Sequence, residues 1–224
     1  TELYGVHDDD ARVIIALSFA GMLIGARAGS AVEFREIYSA EPWRLLRFWE
    51  GGLSAVPAFL GAGAAGIVGS WKRGIPVWVT ADSAAVPAAF TVALGRWGCF
   101  LNGCCGGTAA SVPWAVAFPG DPAGVLRHPT QLYYAFGALF IGAALQWTEQ
   151  TRLSFGGDRR IRGAVLWPFF MVLYALLRIV ADPFRAEYGT AGLRGARLIL
   201  FAVLAAGSLW LAFSLLFRRE RKKC

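Results

Sequence analysis

Residues 95–107 read GRWGCFLNGCCGG, so an apolar run ends in a guanidinium, an amide and three thiols. Two further arginines interrupt apolar runs: Arg27 in LIGARAGS and Arg178 in FFMVLYALLRIVADPF. A guanidinium stays charged when desolvated, and its planar fork matches phosphate or carboxylate oxygens. Inside a bilayer an arginine costs about 2.5–3.5 kcal/mol on the insertion scale, so each marks a candidate site. The plainer reading is a snorkelling or structural arginine. Several cations at one depth repel unless an anion sits among them. Asp182, Glu50 or a lipid phosphate could supply it. Asp82, within VWVTADSAAV, reads as structural.

The thiols Cys99, Cys104 and Cys105 admit four readings. Buried cysteines act as small hydrophobes. An oxidising outer face permits a disulfide, although a vicinal bridge is strained. Spacings of five and one with no adjacent histidine fit no common zinc pattern, and neither a metal nor a cofactor is expected. The fourth reading is a reactive thiol that receives or relays a group.

These residues need a frame, and composition indicates which. The chain is 56% hydrophobic and 17% charged, with mean hydropathy +0.49, whereas soluble domains carry roughly a quarter charged residues. Apolar runs at about 11–34, 52–71, 76–100, 130–148, 163–181 and 196–217 each approach the ~20 residues a bilayer core needs. They are too long and continuous for barrel strands. The expected fold is all-α: a polytopic transmembrane helical bundle of about six spans, forming one integral membrane domain over 1–224.

Net charge +7 does not point to nucleic acid, because the basic residues fall in blocks between runs. Lys72 and Arg73, then Arg152, Arg159, Arg160 and Arg162, then RRERKK place loops 72–75 and 149–162 and the C-terminus in the cytoplasm by the positive-inside rule. The N-terminus is then also inside, and segments 35–51, 101–129 and 182–195 are outside. On this topology Arg27, Arg96 and Arg178 fall toward the outer half. Gly21, Gly25 and Gly29 form a ridge at spacing four for close helix packing. The long outer loop 101–129 carries Pro113, Pro119, Pro122 and Pro129, which forbid a continuous helix. A loop of that length in a compact protein is usually functional or disordered.

Five blocks in order, IGARAG, RFWEGGLS, GRWGCFLNG, RHPTQLYY and LYALLRIVADPFR, resemble the prolipoprotein diacylglyceryl transferase family over about residues 11–217. The resemblance implies a bacterial inner-membrane enzyme with its site toward the outer leaflet. It implies transfer of diacylglyceryl from phosphatidylglycerol to the lipobox cysteine of a prolipoprotein signal peptide, as a thioether, with glycerol phosphate leaving. The family's first helix looks absent. By position, its essential arginines fall on Arg96 and Arg178, its functional tyrosine on Tyr174, and its signature asparagine on Asn102. Gly98 and Gly103 belong to the signature block. Arg127, His128, Pro129, Thr130, Gln131, Leu132 and Tyr133 match its RHPSQLYE block, with Tyr134 where glutamate is usual. Val56 stands where the family has a histidine. Cys99 and Cys104 replace an asparagine and a glutamate.

With that chemistry in view, Arg96 and Arg178 are expected to clamp the phosphate, where negative charge builds as the leaving group departs. Tyr174, one turn before Arg178, is expected to orient it. Arg27, Asn102, Gly98, Gly103, His128, Gln131 and Tyr133 complete the expected substrate-binding set. His128 is either the base or an ordered hinge before a helix starting at Pro129–Thr130. Two rivals stay open: a relative that uses another acceptor, and a phospholipid-binding membrane protein without turnover.

Overall fold

The computed structural model describes residues 6–47, 54–154, 165–186 and 206–209. The described elements are α1 (Asp8–Glu33), α2 (Arg35–Ala40), α3 (Ala55–Lys72), α4 (Val77–Leu101), α5 (Thr130–Ser154) and α6 (Leu166–Ala181), with 3-10 turns at Pro42–Leu46 and Asp182–Phe184. Among the described residues no strand forms, only isolated bridges. The chain groups into two compact units, 1–80 and 81–224.

In the first unit α1 opens with Asp8, Asp9 and Asp10, whose charges complement the helix N-terminus. His7 caps it, with Nδ1 accepting from the Asp9 amide. α1 packs on α3 through the expected glycine ridge. A Cβ at Gly21 would lie 2.5 Å from both the Ala65 Cβ and the Gly61 carbonyl oxygen, and one at Gly25 would strike the Pro57 carbonyl. The two backbones therefore touch, which only small residues allow. Arg73, after α3, pairs with Asp10 at 2.8 Å.

The second unit is built on α4, α5 and α6. Ala85 and Ala89 of α4, Ile141 and Leu145 of α5, and Leu166 and Phe170 of α6 form its core. Asp82 has the structural role expected of it. Its carboxylate accepts from the main-chain N–H groups of Val165 (2.9 Å) and Trp167 (3.0 Å). It thus caps α6, whose own N-cap residue, Val165, has no suitable side chain. Away from the core, Leu94 (71% exposed), Phe140 (77%) and Val180 (68%) face outward, a surface suited to lipid rather than water.

The expectation of about six spans is met only in part. Three described helical segments are long and apolar enough to cross a membrane: Asp8–Glu33, Val77–Leu101 and Leu166–Phe184. α5 matches the fourth run but extends to Ser154, and its polar end lowers its apolar average. The last run, 196–217, lies outside the described residues except for a helical piece at 206–209.

Residues 102–129 join α4 to α5 without helix, as their prolines require. The segment is nevertheless tied down. Gly107 N–H donates to the His128 carbonyl, Thr108 N–H to Phe184, and Val116 and Arg127 exchange main-chain bonds at 3.0 and 2.9 Å. Gly107 is needed where it stands, because a Cβ there would meet the carbonyls of Phe184 at 2.5 Å and His128 at 2.6 Å.

Candidate active site

Arg96 lies in the last turns of α4, Tyr134 in the second turn of α5, and Arg178 in the last turn of α6. They meet in one chain of contacts. The Arg96 guanidinium carbon sits 4.7 Å from the Tyr134 ring centroid, a cation–π contact. The buried Tyr134 hydroxyl donates to Asp182. The same carboxylate takes Nε (3.1 Å) and Nη2 (3.0 Å) of Arg178. Tyr134 therefore links the two expected arginines through its ring on one side and its hydroxyl on the other. Arg178 is neutralised by its own carboxylate, whereas Arg96 has only the aromatic face and no ion pair among the described residues. Tyr174 stacks on Phe170 at 5.8 Å, one turn from Arg178.

The thiols converge for a reason visible in the backbone. α4 ends in a Schellman motif, with Cys104 N–H donating to the Cys99 carbonyl (3.1 Å) and Gly103 N–H to the Phe100 carbonyl (3.1 Å). Gly103 has φ +70°, the left-handed conformation the motif needs. The motif folds Cys104 back over Cys99, and the Cys104 thiol contacts the Cys99 carbonyl at 3.6 Å. Cys105 has φ +62°, which is unusual for a residue with a side chain. As a result the three sulfurs lie within 4.8 Å of one another, and all three are free thiols. The first residues of α5 hold the loop in place. Gln131 Nε2 donates to the Cys104 carbonyl (2.6 Å) and Thr130 to the Cys105 carbonyl (3.1 Å). The remaining Gln131 oxygen is buried and has no hydrogen-bond partner among the described residues.

The thiols of the loop differ electrostatically. Burial pushes Cys104 up, but hydrogen bonds to its sulfur from Asn102, Cys105 and Cys99 outweigh this, and its pKa falls below the ordinary thiol value. Partial desolvation of its sulfur by the surrounding loop and the neighbouring Cys104 push the surface-exposed Cys105 up to about 11, although the Arg96 charge opposes them.

Other expected site residues have visible neighbours. His128 Nδ1 shares a 3.0 Å hydrogen bond with the Tyr133 hydroxyl, which also accepts from Trp114 Nε1 at 2.7 Å. The His128 ring lies 4.9 Å from Phe184. α5 starts at Thr130, directly after this segment, as expected. Arg127 forks onto Asp121 at 2.7 and 2.8 Å. A Cβ on Gly98 would meet nothing within 4 Å, and Asn102 is exposed. Arg27, in the first unit, is buried and donates to the carbonyls of Leu45 (3.0 Å), Arg44 and Arg47 (2.6 Å) and to Tyr38 (3.0 Å). It stitches the segment after α2 to α1. Val56 is exposed near the start of α3. Glu50, Arg159, Arg160, Arg162 and the RRERKK tail lie outside the described residues.

A cavity of about 280 Å³ opens beside the thiol loop, lined by Cys105, Phe118, Pro119, Asp121, Arg127 and Arg185. Sequence reasoning did not single out Arg185 or the linking role of Tyr134. The available signal for Tyr134 was an aromatic residue in place of a charged one.

The family profile described as prolipoprotein diacylglyceryl transferase matches residues 4–213, spanning both units. The chain belongs to the prolipoprotein diacylglyceryl transferase family. Curated relatives carry the name phosphatidylglycerol–prolipoprotein diacylglyceryl transferase. The Geobacter sulfurreducens protein is 35% identical over 190 residues, covering 83% of this chain and 68% of the relative. The Bradyrhizobium diazoefficiens protein is 34% identical over 168 residues, 74% of this chain and 58% of its own length. The Haemophilus influenzae protein is 38% identical over 129 residues, 57% of this chain and 48% of the relative. The chain thus spans between about half and two thirds of the relatives it matches. Arg96, Tyr134, Asp182 and Arg178 all lie within the span that the family profile matches.

Proposed function

We propose that this chain transfers a diacylglyceryl group from phosphatidylglycerol to the lipobox cysteine of a prolipoprotein signal peptide. The proposal places it in the bacterial inner membrane as a multi-pass domain over 1–224, with the site toward the outer leaflet, loop 101–129 outside and the C-terminus cytoplasmic. The observation that carries it is the meeting of Arg96, Tyr134, Asp182 and Arg178 from three helix ends beside the thiol loop. The family relatives, named for this donor and acceptor, support it.

In this reading Arg96 is the principal phosphate ligand. Its guanidinium is oriented by the Tyr134 face and has no protein carboxylate to displace among the described residues. Arg178 presents Nη1, since Nε and Nη2 are committed to Asp182. As the acceptor sulfur attacks the glyceryl carbon, the C–O bond breaks and charge grows on the departing phosphate. Pre-placed guanidinium groups stabilise that charge without reorganising. Tyr174 holds the α6 end by stacking, while Asn102, Gly98 and Gly103 shape the approach along the end of α4.

The deciding experiment incubates the purified full chain in detergent with phosphatidylglycerol and a lipobox peptide, then identifies products by mass spectrometry. A peptide gaining diacylglyceryl, together with released glycerol phosphate, is the expected result. Phosphatidylglycerol bound without turnover would instead identify a lipid-binding protein, and turnover only with a different thiol would identify another acceptor.

A further inference from the structure

We propose that Cys99, Cys104 and Cys105 form a three-thiolate site for a soft divalent ion of the zinc type, whose open fourth position takes the acceptor thiol. This rests on the transferase reading above and specifies how that thiol is activated. The spacing of the cysteines gave no such indication. The fold produces the site, because the Schellman turn and the left-handed Cys105 bring three sulfurs within 4.8 Å of one another. Zinc–sulfur bonds of about 2.3 Å set sulfurs ~3.8 Å apart in a tetrahedron, so each would move inward by roughly half an ångström. Side-chain rotation at a glycine-flanked loop supplies that easily.

Three features favour an ion over the other readings. A disulfide would use two sulfurs and strand the third, while all three converge. The positive φ at Cys105 is a conformation that side-chain-bearing residues rarely adopt, yet it is held by the hydrogen bonds of Thr130 and Gln131 to the adjoining carbonyls. Three thiolates around a divalent ion leave a net negative charge, and Arg96, one turn before Cys99, supplies a nearby cation. Three protein ligands and one open position is the arrangement of catalytic rather than structural zinc, and Cys105 is exposed to the adjoining cavity.

The chemistry also meets a need: the acceptor thiol must lose its proton before it attacks, and the His128 ring is already engaged with Tyr133. An ion that coordinates the acceptor thiol removes its proton outright. That proton passes to water. The bound thiolate attacks the glyceryl carbon, the sulfur–carbon bond forms, and the carbon–oxygen bond to phosphate breaks with its electron pair going to the phosphate oxygen. No oxidant or reductant is involved.

The test uses the full chain, purified under reducing conditions and reconstituted with zinc or cobalt(II). About one ion per chain is expected. The cobalt form should show a thiolate-to-cobalt charge-transfer band that shifts when a cysteine-containing lipobox peptide is added and stays unchanged with its serine counterpart. Cys99→Ser, Cys104→Ser and Cys105→Ser should each weaken the band, and Cys224→Ser should leave it intact. In case the variants fold poorly, the wild-type chain gives a second reading: iodoacetamide should label the three thiols only after a chelator removes the ion. Removing the ion should also slow transfer about 100-fold or more, a general-base-sized loss. Thiols labelled equally with and without chelator, a disulfide in place of bound ion, a band indifferent to the peptide, or full-rate transfer after chelation would each overturn the proposal. Absence of transfer in a chain that keeps the peptide-sensitive band would count against the transferase reading and leave the ion site standing.

Discussion

At Arg96 the guanidinium lies over an aromatic face, and at Arg178 it lies against a carboxylate, so two arginines expected to act alike have different tasks. In the proposed mechanism Arg96 takes the phosphate, while Arg178 is paired with Asp182 through Nε and Nη2 and offers its remaining nitrogen. Arg96→Ala should therefore lower transfer by roughly 100- to 1,000-fold, the range for losing a preorganised oxyanion donor. Arg96→Lys should recover little, because a point charge replaces a planar fork. Steady-state turnover of phosphatidylglycerol with a lipobox peptide measures both, and near wild-type rates in Arg96→Ala would remove the clamp from the mechanism. Tyr134 separates ring from hydroxyl. Tyr134→Phe keeps the face beneath Arg96 but takes a donor from the buried Asp182, and should cost about 1 kcal/mol in thermal unfolding. Tyr134→Ala should lose activity as well, because the platform goes with it. Equal activity in the two variants would show that the ring does not position Arg96.

Between elements, close approach and capping decide the geometry. Small residues at Gly21, Gly25 and Gly61 let α1 and α3 touch backbone to backbone, and a ridge at spacing four makes that legible in advance. The cap of α6 was not legible in the same way. Asp82 could be read as structural, but its partners Val165 and Trp167 are more than eighty positions away in sequence. Asp82→Ala leaves two N–H groups of the α6 start without their acceptor and should destabilise the second unit by about 1–2 kcal/mol. Asp82→Asn, which retains one oxygen, should cost less. Thermal melts in detergent rank the two, and an Ala variant as stable as wild type would show that the cap is dispensable.

For the molecule as a whole, the segment 102–129 is held in part by the Arg127–Asp121 pair, and that makes its docking depend on pH. Hydrogen bonds from Arg127 hold the Asp121 carboxyl below its ordinary range, so the ionised pair contributes through and above a pH of about 4 and is lost as pH falls through the lowered value. Limited proteolysis within 111–125 should stay slow down to that window and then accelerate. Asp121→Asn should be cut faster at neutral pH with no such step. A step unchanged in the variant would assign the acid sensitivity to other groups. By itself the sequence determined the apolar helices, the glycine ridge, the proline-broken segment and the family, because each is written in local periodicity or in contiguous blocks. Local patterns carry no distances, so only the tertiary structure could decide that Tyr134 joins Arg96 to Asp182, that Arg178 spends its charge on a carboxylate, that Arg27 closes on main-chain carbonyls, and that three cysteines of unpromising spacing share one point in space. Each of these depends on a helix end, a turn or a packed neighbour placing groups that the chain order keeps apart.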